Sequence, residues 1–182
     1  MQNETKKERS AELYNIGDLI IYGNNGVCKV VDTTTLQGSG ASGIGERKCY
    51  ILQPLHDETC RITTPVDNQK VIMRSLLSRE ETEELIREIP SIEMLPEHGV
   101  RQQEAEYQKA LRSGNCREWI SLIKTLNARI SRRKMKGKRI TVTDDRYFKA
   151  ASEKLVEEFS VVLNMDQDST EKLLKTAFSE TE

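Results

Sequence analysis

The sequence predicts an α+β fold, with a small antiparallel β-barrel or sheet first and an all-α helical bundle after it. Three observations carry this. Five short β-type runs fall between Gly17 and Met73. The spacing of apolar residues turns helical near Ser75 and stays so to the end. Aromatics make up only 5% of the 182 residues, so the cores are aliphatic. That length suits one large or two small domains. The composition shifts divide the chain into a loose tail over 1–12, a β-domain over 13–74, a connecting helix and linker over 75–100, and a helical domain over 101–182.

The first β-run is Gly17-Asp18-Leu19-Ile20-Ile21-Tyr22. Gly23-Asn24-Asn25-Gly26 is turn chemistry, because Asn and Gly tolerate positive φ. Val27 to Asp32 reads as a second strand, followed by a Gly/Ser loop and a third strand over Lys48 to Leu52. His56-Asp57-Glu58 makes a polar turn. Cys60 to Thr64 is a further strand, which Pro65 ends or edges. Val71-Ile72-Met73 is a last short one. Small, bent antiparallel sheets and barrels have this pattern.

Ser78-x-x-Glu81 is a capping box that starts a helix continued by Leu85, Ile86 and Ile89. Pro90, Pro96 and Gly99 break the chain. A helix over Glu104 to Arg112 stops at Ser113-Gly114-Asn115. A long one runs from Cys116 to about Met135, with Trp119, Leu122, Ile123, Leu126 and Ile130 on one face, and Gly137 ends it. Thr141-x-x-Asp144 caps the next, whose stripe is Tyr147, Ala151, Leu155, Phe159 and Val162. Asp168 or Ser169 caps the last, with Leu173, Leu174 and Ala177 inside. None is apolar all round, so they pack as a bundle.

The net charge of −1 hides a strong asymmetry. Residues 1–74 carry 9 basic and 9 acidic side chains, and residues 75–100 carry 2 and 7. Residues 101–139 carry 12 and 3, and residues 140–182 carry 5 and 10. Within Arg132 to Arg139, six of eight residues are cationic. A helix C-terminus accounts for one or two cations through its dipole. Six repel one another, and a phosphate backbone is the simplest partner that offsets this. Arg129, Arg132, Arg133 and Lys136 share about a third of the helix circumference at ~100° per residue.

Other motifs point away from chemistry. Gly38-Ser39-Gly40-Ala41-Ser42-Gly43 spells G-x-G-x-x-G, but a β-type run follows it, where a dinucleotide site needs a helix. It reads as a hairpin loop. His56 and His98 lie far apart and neither has triad partners. Cys28, Cys49 and Cys60 fall in strand-like runs and read as small buried hydrophobes. The spacing of the four cysteines suits no zinc site. Trp119 shares its face with aliphatic residues and reads as core. No metal, cofactor, small-molecule substrate or enzymatic activity is expected. No run of 18 apolar residues exists, so no membrane partner is expected. The polar first 12 residues lack the apolar stretch of a secretory signal. A cytoplasmic protein with reduced thiols is the expectation.

Taken in order, these motifs resemble the CarD family of bacterial transcription regulators. Asn15-Ile16-Gly17-Asp18-Leu19-Ile20-Ile21-Tyr22-Gly23-Asn24-Asn25-Gly26-Val27 is similar to the family's opening strand and turn. Thr64-Pro65-Val66-Asp67-Asn68, with Val71 and Arg74, resembles a second stretch. Leu111-Arg112-Ser113-Gly114-Asn115 resembles the family's helix stop. The resemblance spans about residues 14–178. It implies a Tudor-like N-terminal domain that docks on the RNA polymerase β subunit, a module also found in the transcription-repair coupling factor. It further implies a helical domain that touches promoter DNA at the upstream edge of the melted region and alters open-complex stability. The family often carries a Trp wedge where this chain has Gly99 to Gln103, with Val100 at the matching position, so the wedge is replaced or absent.

Edge pairing by a short strand is one way to hold a protein partner, and Cys60 to Thr64 is the strand expected to do so, through Arg61 and Thr63. Arg101, Lys109, Lys124, Arg129, Arg132, Arg133, Lys138 and Arg146 are the expected phosphate contacts. Tethering to polymerase raises the local concentration of the basic module, so modest DNA affinity suffices. Two other readings stay open. One is a polymerase-binding adaptor whose basic run meets an acidic protein. The other is an RNA-binding protein, although the β-half has no Phe or Trp for base stacking.

Overall fold

A computed structural model describes residues 14–40 and 43–179. Five strands come first: β1 Leu19–Tyr22, β2 Val27–Gly40, β3 Gly43–Pro54, β4 Ile62–Pro65 and β5 Met73–Ser75. Five α-helices follow: α1 Arg79–Glu88, α2 Val100–Arg112, α3 Cys116–Met135, α4 Val142–Leu163 and α5 Gln167–Ser179. The α+β architecture is the expected one.

The strands form one antiparallel sheet in the order β4-β3-β2-β1-β5. Gly23–Asn25 is a single 3-10 turn between β1 and β2. The register of β2 against β3 slips at Val31, a bulge that bends the pair. Ile20, Tyr22, Cys28, Val30, Tyr50 and Leu52 fill the module's core. Cys28 and Cys49 are buried as expected, whereas Cys60 is half-buried and precedes β4.

Strand β4 begins at Ile62, two residues after the expected Cys60, β5 lies at Met73–Ser75 in place of Val71 to Met73, and β2 and β3 are longer than expected. The Gly/Ser stretch is not one long loop: β2 runs to Gly40 and β3 starts at Gly43, with the register closing on the Gly40–Gly43 pair. Thr33, Thr34 and Thr35 are β-branched and favour the extended backbone over a loop. Residues 41 and 42, at the centre of the G-x-G-x-x-G lookalike, lie outside the described residues, as does the tail over 1–12 and residue 13.

The capping box is present: the Ser78 side chain accepts from the Glu81 amide, and the Glu81 carboxylate accepts from the Ser78 amide. Helix α1 is more than a connector, since Leu85 joins Ile89 and Ile92 in the bundle core with Trp119, Leu122, Leu126, Leu155 and Phe159. Fully burying such side chains contributes about 1.5–3 kcal/mol each. Trp119 is fully buried, and its Nε1 donates to the Leu111 carbonyl at 3.2 Å.

Helix α2 begins at Val100, four residues before the expected start. Its first turn has no side-chain cap. The buried Gln103 instead braces the stretch ahead of the helix, accepting from the His98 amide at 2.7 Å and donating to the Pro96 carbonyl at 3.3 Å. Helix α5 is capped by Asp166, not Asp168 or Ser169: the Asp166 carboxylate accepts from the Ser169 amide at 2.8 Å.

Helix α4 also joins the two halves. Its core stripe faces the bundle, while Lys154, Glu157 and Glu158, spaced i, i+3 and i+4, face the sheet. Lys154 Nζ donates to the carbonyls of Gly23 and Asn24. Glu157 accepts from the Val27 amide at 3.2 Å. Gly26, at φ +64°, leaves room for that carboxylate, because a Cβ there would come within 2.0 Å of Glu157 Oε2. Glu158 is fully buried and takes two hydrogen bonds of 2.7 Å from Arg74 and one of 3.1 Å from the Leu77 amide.

Candidate functional site

Two surfaces correspond to the expected sites. The first is the outer edge of β4. This strand pairs with β3 on one side, through Thr64 opposite Tyr50 and Thr63 opposite Ile51. It ends the sheet, so no strand covers its other edge among the described residues. Thr64 points inward and is buried, while Arg61 and Thr63 are exposed two residues apart, on the outward side of the alternation. Arg61 folds back on its own turn, donating to the Glu58 and Cys60 carbonyls at 2.8 and 2.9 Å. Asp57 holds that turn through Thr59 and the Cys60 amide, and these hydrogen bonds, the Thr59 side chain foremost, lower its carboxyl pKa. Asn68 braces the strand's end, donating to Thr64 Oγ1 at 2.8 Å.

The second surface is one end of the helical bundle. Arg129 near the end of α3 reaches Asp144 at the start of α4, at 3.1 Å. Arg146 at the start of α4 reaches Glu104 at the start of α2, at 3.0 Å. Arg132 reaches Glu97, just ahead of α2, at 3.0 Å. The end of α3 therefore meets the beginnings of α2 and α4, and the basic run sits at that meeting point. Lys134, Lys136, Lys138 and Arg139 are exposed there, and Arg101 is exposed on the first turn of α2. Among the described residues no carboxylate pairs with any of these five. The N-termini of α2 and α4 add the positive ends of their dipoles.

The eight expected phosphate contacts divide accordingly. Arg101 and Lys138 stand at this end without an ion-pair partner among the described residues. Arg132 and Arg146 stand there in exposed ion pairs. The other four stand differently. Lys124 is committed to the fold: its Nζ donates to the carbonyls of Ile89, Pro90 and Ile92 at 2.8, 2.9 and 2.6 Å. Burial lowers its pKa. Arg129 is held by Asp144, whose side chain is almost wholly buried, so the pair fastens α3 to α4. Arg133 is half-buried, and its Nε donates to the Arg139 carbonyl at 2.8 Å, closing the turn after α3. Lys109 is exposed on the last turn of α2, about 12 Å along the axis from Arg101 at 1.5 Å per residue. The shared cationic face expected for Arg129, Arg132, Arg133 and Lys136 is thus partly spent on internal contacts.

Val100, the wedge position, is the first residue of α2 and so lies at this end; its side chain is outside the described residues. Sequence reasoning missed two neighbours. Met135 is 82% exposed and Val142 is 86% exposed, on either side of the turn between α3 and α4. The signal was present, since both interrupt a polar stretch, but helical periodicity assigned Met135 only to a helix end.

Among known families, residues 14–77 match the CarD-like/TRCF RID domain. The β-module is an RNA polymerase-interaction domain of the CarD type. RNA polymerase is accordingly the partner this module brings. The RID match ends at Leu77, and the bundle with its basic end lies beyond it. No curated protein matches the chain. Among the described residues no helix is long and apolar enough to cross a membrane, and no three His, Cys, Asp or Glu side chains gather as metal ligands.

Proposed function

We propose that this chain is a transcription regulator that holds the RNA polymerase β subunit through the outer edge of β4 in its RID domain. The basic end of the bundle then meets promoter DNA phosphates and changes the lifetime of the open complex. The observation that carries the DNA half is the cluster of Arg101, Lys134, Lys136, Lys138 and Arg139 at one end, exposed and, among the described residues, without carboxylate partners. Arg132 and Arg146 extend it once their carboxylates are displaced. The setting that goes with this reading is the bacterial cytoplasm. The β4 edge supplies unpaired backbone groups to a partner strand, with Arg61 and Thr63 flanking them.

Two measurements test it. The first is the lifetime of promoter open complexes with and without saturating protein. A changed lifetime is expected, and an unchanged one removes the mechanism. The second is the salt dependence of promoter binding by the polymerase complex after Lys134→Glu, Lys136→Glu and Lys138→Glu together. The slope should fall by about 0.9 for each phosphate no longer neutralised. A slope that stays the same, with polymerase binding intact, favours the adaptor reading, in which the basic end meets an acidic protein.

A further inference from the structure

Three ion pairs at the basic end look alike in distance but differ in depth. The Arg129–Asp144 pair is internal, because Asp144 has 3% of its side chain exposed. The other two lie in water. Arg132 and Glu97 are 56% and 76% exposed, and Arg146 and Glu104 are 63% and 48% exposed. Each of these carboxylates comes from a different element than its arginine: Glu97 from the stretch before α2, Glu104 from α2 itself. Each also offers a guanidinium the same kind of partner as a phosphate does, a pair of charged oxygens against a fork of N–H donors.

We propose that Glu97 and Glu104 are internal competitors for DNA phosphate, occupying Arg132 and Arg146 until a backbone displaces them. This rests on the DNA reading above and adds what sets its strength. A phosphate that takes Arg132 must break a 3.0 Å ion pair, and the freed Glu97 then lies beside the same polyanion. Both effects weaken binding. They also flatten its salt dependence, because a released carboxylate gathers cations while the DNA sheds them, so the net release is smaller. The bundle is thereby kept from holding DNA tightly on its own, while the five unpaired cations still guide it once polymerase has brought it to a promoter. The short distance in sequence between Glu97 and Glu104 puts both competitors on one small segment, the entry to α2.

The test is binding of the full chain to a short fluorescent DNA duplex over a salt series. The charge-matched control is Glu80→Gln with Glu84→Gln. Both are exposed on α1 and have no ion-pair partner among the described residues. Glu97→Gln with Glu104→Gln should bind more tightly than the control by about 1.5- to 5-fold per pair, the span of exposed ion pairs, with a steeper salt slope. In an Arg132→Ala, Arg146→Ala background the same two substitutions should give a clearly smaller gain, the part left by carboxylates that still face the polyanion but have no guanidinium to occupy. Equal affinity of test and control variants, or an equal gain without the two arginines, overturns the proposal and leaves the DNA reading standing. Absence of salt-dependent binding by the parent and every variant, even in complex with polymerase, overturns both.

Discussion

Arg74 and Glu158, 84 residues apart in the chain, meet through two parallel hydrogen bonds of 2.7 Å and tie the last strand of the RID domain to the middle of α4. Cys116 joins them, its thiol donating to Glu158 Oε2 at 3.1 Å. Burial, then the neighbouring carboxylate, pushes that thiol well above its ordinary pKa, so it stays protonated. The Arg74 guanidinium also lies 5.9 Å from the Trp119 ring centre. A charge buried this deeply is tolerated only while it is paired.

Arg74→Met should therefore cost about 3–5 kcal/mol, because it leaves the Glu158 carboxylate buried without its partner. Combining it with Glu158→Met should recover much of that loss. Urea unfolding of the two variants checks this; a double variant as unstable as the single one would sink the explanation.

Lys124 is engaged by the fold through its three carbonyl contacts. Lys124→Met removes the ammonium shared by the Ile89, Pro90 and Ile92 carbonyls after α1, and should cost about 1–3 kcal/mol. It should leave the salt slope of DNA binding unchanged. Thermal unfolding and the salt series together separate this role from phosphate binding, which would show the reverse pattern.

Glu157 gives a pH signature. Burial, the largest influence, raises its carboxyl pKa above the ordinary 4.5, although the Val27 amide, His56 and Lys154 oppose this. The folded chain then holds a proton that the unfolded chain has released. Its contribution to stability is complete below 4.5 and is lost as pH rises through the raised value. Glu157→Gln keeps an acceptor for the Val27 amide but cannot titrate. The difference in unfolding free energy between parent and variant should thus change across that window, in the direction of a parent that weakens as pH rises. Parallel curves would refute it.

Met135 and Val142 are stranded in water among cations. Met135→Ser with Val142→Ser should leave folding stability unchanged. DNA with an unpaired edge should bind less well, by about 1 kcal/mol for the apolar surface removed, with the salt slope preserved. Equal binding by parent and variant would show that these side chains touch nothing.

Much of this fold was readable in the sequence wherever the signal was local. The Ser78–Glu81 box, the glycine at position 114 with φ +66°, and the Trp119 stripe each act within a few residues, and each appears in the structure. The start of α2 escaped because no Ser, Thr, Asp or Asn stands ahead of it, and the bracing there comes from Gln103, inside the helix, which holds the stretch before it. The site was less legible. A run of six cations announces a basic surface, but nothing local tells Lys134 from Lys124. That distinction depends on carbonyls more than 30 residues away, and likewise for Arg132 and its carboxylate 35 residues distant. Charge pattern identifies a region; tertiary contacts decide which of its side chains are available.

Helix α4 is long enough to act as a lever. Its Lys154 to Glu158 face is fixed to the RID domain, while its first turn carries Arg146 into the basic end. The two regions are about 8–12 residues apart, or ~12–18 Å of continuous helix. The helix transmits angle as well as position: a tilt of about 10° where the RID domain seats would swing the far end by about 2–3 Å, close to the ~3.4 Å rise of one base pair. If the basic end meets promoter DNA as proposed, its alignment there would be set as much by how squarely the sheet rests on its partner as by anything at the DNA.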